Sequence, residues 1–506
     1  MHRYFSVLHE RSRFATQVAA IAILGLAGAA STAQAEPKGT YRFAAAYEPA
    51  SWNPQRLPNR LYSGLVYEGL VRMAPDGNTL KPELAESWAL TDKDLTFKLR
   101  QDVKFHDGTP FNADAVIANF DAIVASTSQW RDSLSSVEKV EKVDDFTVKL
   151  ELKRPTPTLL NTLSQVGFLM ISPKALADGS WETTPVGSGP YKLNEEASVR
   201  GSKYVFDVFS DYYAPDAIGP KTVELYYIPE GATRYNAIVA GQVDAAIVGI
   251  PEIEQAKKDG LEAHMWPVLR YHLNINDRTT LFPDPKVRQA MCTAFPVEQM
   301  NQARYDGLVG MSNQMFDEGD PAHVADLGRY NYDIEAAKKL MDEAGNPKIS
   351  IEWPSLPQAR VFGELVKESW EKIGIKVDVK VLQASEYFRT SLSATYPVIF
   401  DNMDGENAGM YAYYSLRFGK DGPANVFHSE PPAELKAAFE RSLTASQDEV
   451  PGIYQEMTKM IHDQALDCGY LDINQVVAYN PKTVSEMSVT VWEPSATRYS
   501  GIRMAE

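Results

Sequence analysis

The sequence predicts a mixed α/β protein of several domains. Three observations carry that prediction: short segments of alternating apolar residues, longer segments with one apolar face and helix-capping residues at their ends, and a length of 506 residues with ordinary globular composition. With 44% hydrophobic and 23% charged residues and 31 each of Gly and Pro, the chain is unlike a disordered or fibrous sequence. Its length corresponds to roughly three domains of about 150 residues.

In chain order, the first 35 residues read as a Sec-type secretion signal. Arg3, Arg11 and Arg13 make a positive start, and Val18 to Ala30 is apolar but shorter than the ~20 residues a membrane-spanning helix needs. Ala33-Gln34-Ala35 then offers an A-x-A cleavage pattern, so the mature chain is expected to begin at Glu36. Removing three Arg and one Glu takes the formal charge from −17 to −19. Thr40 to Ala46 (TYRFAAA), Leu95 to Arg100 and Phe146 to Leu152 read as strands, the last with the alternation of a half-buried one. Asp333 to Gly345 reads as a helix: Asp333 is its N-cap, Ile334, Ala337, Leu340 and Met341 share a face, and Gly345 ends it. A second helix ends at Gly374 with Val361, Leu365 and Trp370 expected inward, and Lys376 to Leu382 follows as a strand. No internal repeat interrupts this pattern.

An acidic chain lacks the basic footprint that nucleic acid or an anionic membrane requires, so no nucleic-acid partner is expected. Two cysteines are too few for a disulfide scaffold or a four-thiolate zinc site. Cys292 lies in the apolar segment Val287 to Phe295, and two buried free thiols, Cys292 and Cys468, are expected, with a disulfide between them left open because nothing in the sequence fixes their separation. Catalytic patterns fail one by one. Ser188 in Val186-Gly187-Ser188-Gly189-Pro190 is followed too closely by proline for a nucleophile elbow, and a Gly-Pro turn is the better reading. No phosphate-binding glycine loop and no H-E-x-x-H occurs, and His106, His264, His272, His323, His428 and His462 are dispersed. His106, in Phe105-His106-Asp107-Gly108-Thr109-Pro110, reads as part of a tight turn. Neither catalytic residues, a metal nor a cofactor is expected.

Leu80 to Phe120 resembles the signature region of the family 5 solute-binding proteins of ATP-binding cassette importers, the dipeptide, oligopeptide and nickel-binding group. Pro185 to Leu193 (PVGSGPYKL) is similar to that family's P-x-G-T-G-P-Y with Ser188 in place of Thr, and Arg234 to Asp244 to its R-x-x-A-L-x-x-G-x-V-D. Tyr271 to Ala294, with Asn276 and Val287-Arg288-Gln289-Ala290, Asn331 to Gly345, and Ile373 to Val377 continue the resemblance in order. It implies an α/β, two-lobed periplasmic binding-protein fold with an extra domain, the lobes joined by a two-segment hinge. Transferred onto this chain, domain I takes 36–78, 186–272 and 477–506, domain II takes 79–185, and domain III takes 273–476. The hinge crossovers then fall near Tyr271 to Asn276 and near Val476.

The same resemblance implies a periplasmic monomer that closes on a small peptide or related amine-bearing solute and delivers it to a membrane permease. An oligosaccharide, an opine-like conjugate or chelated nickel remains open as ligand, and a periplasmic chaperone or an exported hydrolase as role. Asp404 stands at the family's ammonium-binding acid, although Asp401 occupies the place of the usual aromatic. Tyr47, Glu48 and Trp52, after the first strand, fall where relatives line the pocket floor, Tyr411 lies just after the acidic loop, and Asn276 stands at a motif position. These seven residues are the candidate ligand contacts. Met410, Tyr413 and Tyr414 share a helix face that reads as core.

Overall fold

The computed structural model describes residues 39–505 except 50, 56–59, 75–78, 127–129, 392, 402–408, 421, 423 and 488–500. The expected secretion signal and Asp404 therefore lie outside the described residues. Among those described, no helix is long and apolar enough to cross a membrane.

The chain begins with β1 (Thr40–Ala45) and a hairpin of β2 (Val71–Met73) and β3 (Leu80–Pro82). An antiparallel sheet follows, built from β4 (Ala85–Leu90), β5 (Asp94–Leu99), β6 (Val137–Asp144) and β7 (Thr147–Leu152) in the order β4-β5-β7-β6. Alternation aims Leu95, Phe97 and Leu99 of β5 and Val148 and Leu150 of β7 at one core, which also takes Val116, Phe120 and Ile123 of helix Ala113–Ala125. Asn112 caps that helix by accepting the Ala115 amide at 3.0 Å.

The chain then returns to β1. β8 (Tyr191–Val199), β9 (Lys203–Val208), β10 (Thr222–Tyr227) and β11 (Ala245–Val248) extend a sheet in which β10 and β11 flank β1 in parallel. β12 (Glu262–Ile275) leaves this region for a second one containing β13 (Met311–Ser312), the parallel pair β14 (Ile349–Ser355) and β15 (Ile375–Val381), and β16 (Val398–Asp401). β17 (Asp467–Tyr479) comes back, and β18 (Val484–Met487) pairs with β19 (Ile502–Met504). The main sheet runs β16-β12-β17-β11-β1-β10-β9-β8, with β13 beside β17. β12 and β17 pair along nearly their whole lengths, from Glu262↔Tyr479 to Asn274↔Asp467. β11 meets only residues 476–479 of this ribbon, whereas β16 meets only 272–275. Two antiparallel strands thus carry the chain between two lobes.

Local expectations hold where local chemistry decides. Asp333 accepts the Ala336 amide at 2.9 Å, and Gly345 has φ +78° just beyond helix Ile334–Glu343. Helix Arg360–Glu371 corrects one expectation: Phe362, Val366 and Trp370 form its inward stripe, whereas Val361 is 36% exposed. The four-residue spacing of that stripe leaves Val361 one position off it. The cysteines are a second correction. Cys292, in helix Pro285–Thr293, and Cys468, in β17, are joined in a disulfide with Cα atoms 5.9 Å apart, not left as free thiols. Packing of that helix against β17 in one apolar cluster brings together residues 176 positions apart.

Candidate functional site

Parallel strands end together, and ligands of open α/β sheets gather at their carboxyl ends. Here Ala45 of β1 is level with Tyr227 of β10, and β11 stops at Val248 on the other side, so the segments 46–49, 228–230 and 249–251 that follow them start from one edge. Arg234 clips this edge together. Its Nη1 donates to the carbonyls of Ile228 and Pro229, and its Nε to that of Ile247, each at 2.7 Å. Burial lowers its pKa, while Tyr47, Glu230 and Glu252 nearby oppose the shift. Tyr47 is 81% exposed, Glu48 and Glu230 are exposed, and Glu252 is half-buried. The edge therefore presents an aromatic ring and carboxylates, its arginine being occupied by carbonyls.

Glu48 accepts the Tyr204 hydroxyl at 3.2 Å. Burial first, and then the adjacent Glu48 charge, raise the Tyr204 pKa. Trp52 lies deeper than the resemblance implied. It is buried edge-on against Tyr62 and Tyr204 at 4.7 and 5.1 Å, and its carbonyl accepts the Tyr67 hydroxyl at 2.7 Å. Its size makes core packing the favourable use of that ring.

Farther along the sheet, β16 runs antiparallel to β12 and ends with Asp401 opposite His272. Met265 of β12 is level with Val248 through Val476, so the seven steps from Met265 to His272 span roughly 20 Å of strand. The carboxyl end of β16 therefore points back toward the edge that bears Tyr47 and Glu48. Asp404, three residues further in sequence, lies outside the described residues. Below this point His272 is fully buried, its Nδ1 2.9 Å from Asp467 Oδ1, its ring stacked on Tyr470 at 5.7 Å, and the Tyr413 hydroxyl donates to Asp467 Oδ2.

Asn276 is buried in a polar knot. Its Oδ1 accepts Arg417 Nη1 at 3.1 Å, its Nδ2 donates to the Tyr396 carbonyl at 3.4 Å, and its carbonyl accepts Ser429 Oγ at 3.0 Å. Tyr411 is half-buried, with Phe439 5.5 Å away and the Arg154 guanidinium 4.1 Å above its ring. The structure thus places Tyr47 and Glu48 at one edge, aims β16 at it, and buries Trp52 and Asn276.

Sequence reasoning missed Glu230 and Glu252, because nothing local says that their loops end parallel neighbours of β1. It also missed Arg270, which donates to Asp472 and Asp317 at 2.7 Å and to the carbonyls of Gln314 and Met315. This clamp borders a cleft of about 410 Å³ with Ser312, Asn313, Leu327 and Arg329.

The fold is that of the two-lobed periplasmic binding proteins. NikA from Brucella suis, solved in complex with Fe(III)-EDTA, superimposes with a TM-score of 0.80 at 23% identity, over 92% of this chain and 100% of that one. Residues 79–425 match the family described as "Bacterial extracellular solute-binding proteins, family 5 Middle", and the chain belongs to it. Curated relatives include the "Probable di/tripeptide-binding protein 5" of Pseudomonas aeruginosa, 26% identical with 78% of this chain and 82% of that protein covered. The "Heme-binding protein A" of Haemophilus influenzae is likewise 26% identical, with 86% and 88% covered.

Proposed function

We propose that this protein is the periplasmic substrate-binding component of an ATP-binding cassette importer. It captures a small peptide or related amine-bearing solute between its lobes and delivers it to the permease. The observation that carries the ligand class is the carboxylate-bearing edge of β1, β10 and β11, with Glu48 and Tyr47 exposed opposite the end of β16. A cationic group entering a closed, largely dry cleft gains charge-assisted hydrogen bonds there. Asp404 is the anchor from the far lobe, as its family position implies, with Asp401 beside it and Glu48 and Tyr47 opposed. The di/tripeptide-binding name of one relative supports this reading. The lobes divide at the β12–β17 ribbon: 36–78, 186–272 and 477–506 with the extra domain 79–185 on one side, and 273–476 on the other. The protein acts as a monomer, without enzymatic turnover, after cleavage behind Ala35.

A second reading rests on the ligands named for relatives, heme and Fe(III)-EDTA, which are flat or chelated and suit an exposed tyrosine as a stacking face. Mass spectrometry of ligand retained through mild purification distinguishes them. Peptides or amines are expected, and a chelate or sugar would replace the first reading. With the ligand in hand, Asp404→Asn should weaken calorimetric affinity by about 2–5 kcal/mol, because the ligand's charge would stay buried and poorly paired. Unchanged affinity would remove Asp404 from the site.

A further inference from the structure

Away from the β12–β17 ribbon, described residues of the 79–185 segment meet the far lobe in contacts that include the following. Arg154 places its guanidinium 4.1 Å above the ring of Tyr411, in helix Gly409–Arg417, while its Nη2 donates to Ser135 at 3.2 Å. Asp92 accepts the Gln447 backbone amide at 2.7 Å, and the Gln447 side chain donates to the Thr91 carbonyl at 3.3 Å. Gly409, at φ +68°, lies against Thr158 so closely that a Cβ would stand 3.1 Å from its methyl carbon. The apolar clusters do not continue across this junction. The one centred on β5 and β7 draws on residues 70–170, the one around Tyr413 and Tyr414 on 315–470, and among the buried residues of the four clusters none joins 70–165 to 273–470.

A junction of polar and cation–π contacts without a shared core separates without exposing a large apolar face. Its residues lie outside the two ribbon strands, so bending about that ribbon pulls it apart. We propose that Arg154–Tyr411 and Asp92–Gln447 form a latch that holds the extra domain onto the far lobe in the closed state and sets how much of the protein is closed before ligand arrives. Apparent affinity scales with the competent fraction, so the latch tunes affinity through the closed population. The proposal rests on the lobe division given above.

The test places spin labels at Lys139→Cys on β6 and Lys436→Cys on helix Ala433–Ser442, both exposed positions, and reads the interlobe distance by pulsed EPR. In ligand-stripped protein, Arg154→Ala/Asp92→Ala should at least halve the short-distance population. Tyr411→Phe keeps a ring beneath the guanidinium and should retain it. The double variant's melting curve, matching the parent's, verifies that both are folded. Equal distance distributions in parent and double variant would overturn the latch, and so would a Tyr411→Phe shift as large as that of Tyr411→Ala. A second arm adds a tripeptide library. Closure of both parent and double variant by the library would leave the binding reading standing, and equal library-free distances alongside it would make the latch fall by itself. Failure of the library to move the parent would count against a peptide ligand, with the latch still judged on the library-free distances.

Discussion

His106 shows how a family motif becomes a physical constraint. Its amide donates to the Gly187 carbonyl and its Nε2 lies 2.8 Å from the Gly189 carbonyl, so the Phe105–Pro110 turn and the Pro185–Leu193 segment are fastened together. Ser188 between those glycines donates to the buried Glu68 carboxylate at 2.9 Å, which also accepts the hydroxyls of Tyr212 and Tyr213. Burial pushes the His106 pKa down to about 4, with Lys192 adding to the effect and the Gly189 carbonyl opposing it. The folded protein therefore binds fewer protons at this site than the unfolded chain between about pH 6.5 and pH 4. The site's contribution to stability is present above that window and is lost as pH falls through it. In protein with 13C-labelled histidine, the His106 resonances should stay in the neutral form at pH 5, and titration near 6.5 would contradict the burial argument. The glycines beside Ser188 are equally constrained. A Cβ on Gly187 would stand 2.1 Å from the Val66 carbonyl oxygen, whereas one on Gly452, in helix Val450–Asp463, meets nothing within 4 Å. Gly187→Ala should cost about 1–3 kcal/mol or more in a urea melt, and Gly452→Ala should gain about 0.5–1 kcal/mol.

At the scale of elements, what the sequence disclosed was local. The cap at Asp333, the stop at Gly345 and the alternation of β7 are written in neighbouring residues, and each appears where expected. What it withheld depends on partners distant in sequence. The parallel pairing that brings Glu230 and Glu252 beside Tyr47, the burial of Asn276 under Arg417, and the contact of Tyr411 with Arg154 are set by strand order and docking. No periodicity encodes them. The β12–β17 ribbon is the clearest case. Arg270, an ordinary arginine in the sequence, becomes a buried clamp bonded to Asp472 on the partner strand and to Asp317 and two carbonyls of the loop after β13. Asp472 is itself largely covered, its side chain 16% exposed. Arg270→Ala leaves that carboxylate without its partner, and a loss of about 3–5 kcal/mol is expected. Removing both charges in Arg270→Ala/Asp472→Asn should cost less than the sum of the Arg270→Ala and Asp472→Asn losses. Additive losses in this double-mutant cycle would show that the pair does not act as a unit.

For the whole molecule, the disulfide defines which part unfolds as a unit. Cys292 and Cys468 are 2% and 1% exposed, and the chain between them contains β13 to β16 and most of the helices of the far lobe. A link spanning 176 positions removes much of the freedom of that lobe's unfolded chain. It does nothing comparable for the sheet β4 to β7, which lies outside the linked segment. An exported chain meets an oxidising compartment, where such a link persists. Thiol titration of unfolded, unreduced protein should find no free thiols, and two after reduction. Cys292→Ala/Cys468→Ala should then cost about 2–5 kcal/mol, and the loss should be uneven. Hydrogen exchange should quicken within residues 293–467 and stay near the parent rate in β4 to β7. Since the ribbon β12–β17 is continuous through both lobes, a uniform rise in exchange would instead mean that the two lobes unfold as one cooperative body. The bond would then stabilise the entire molecule, not the far lobe alone.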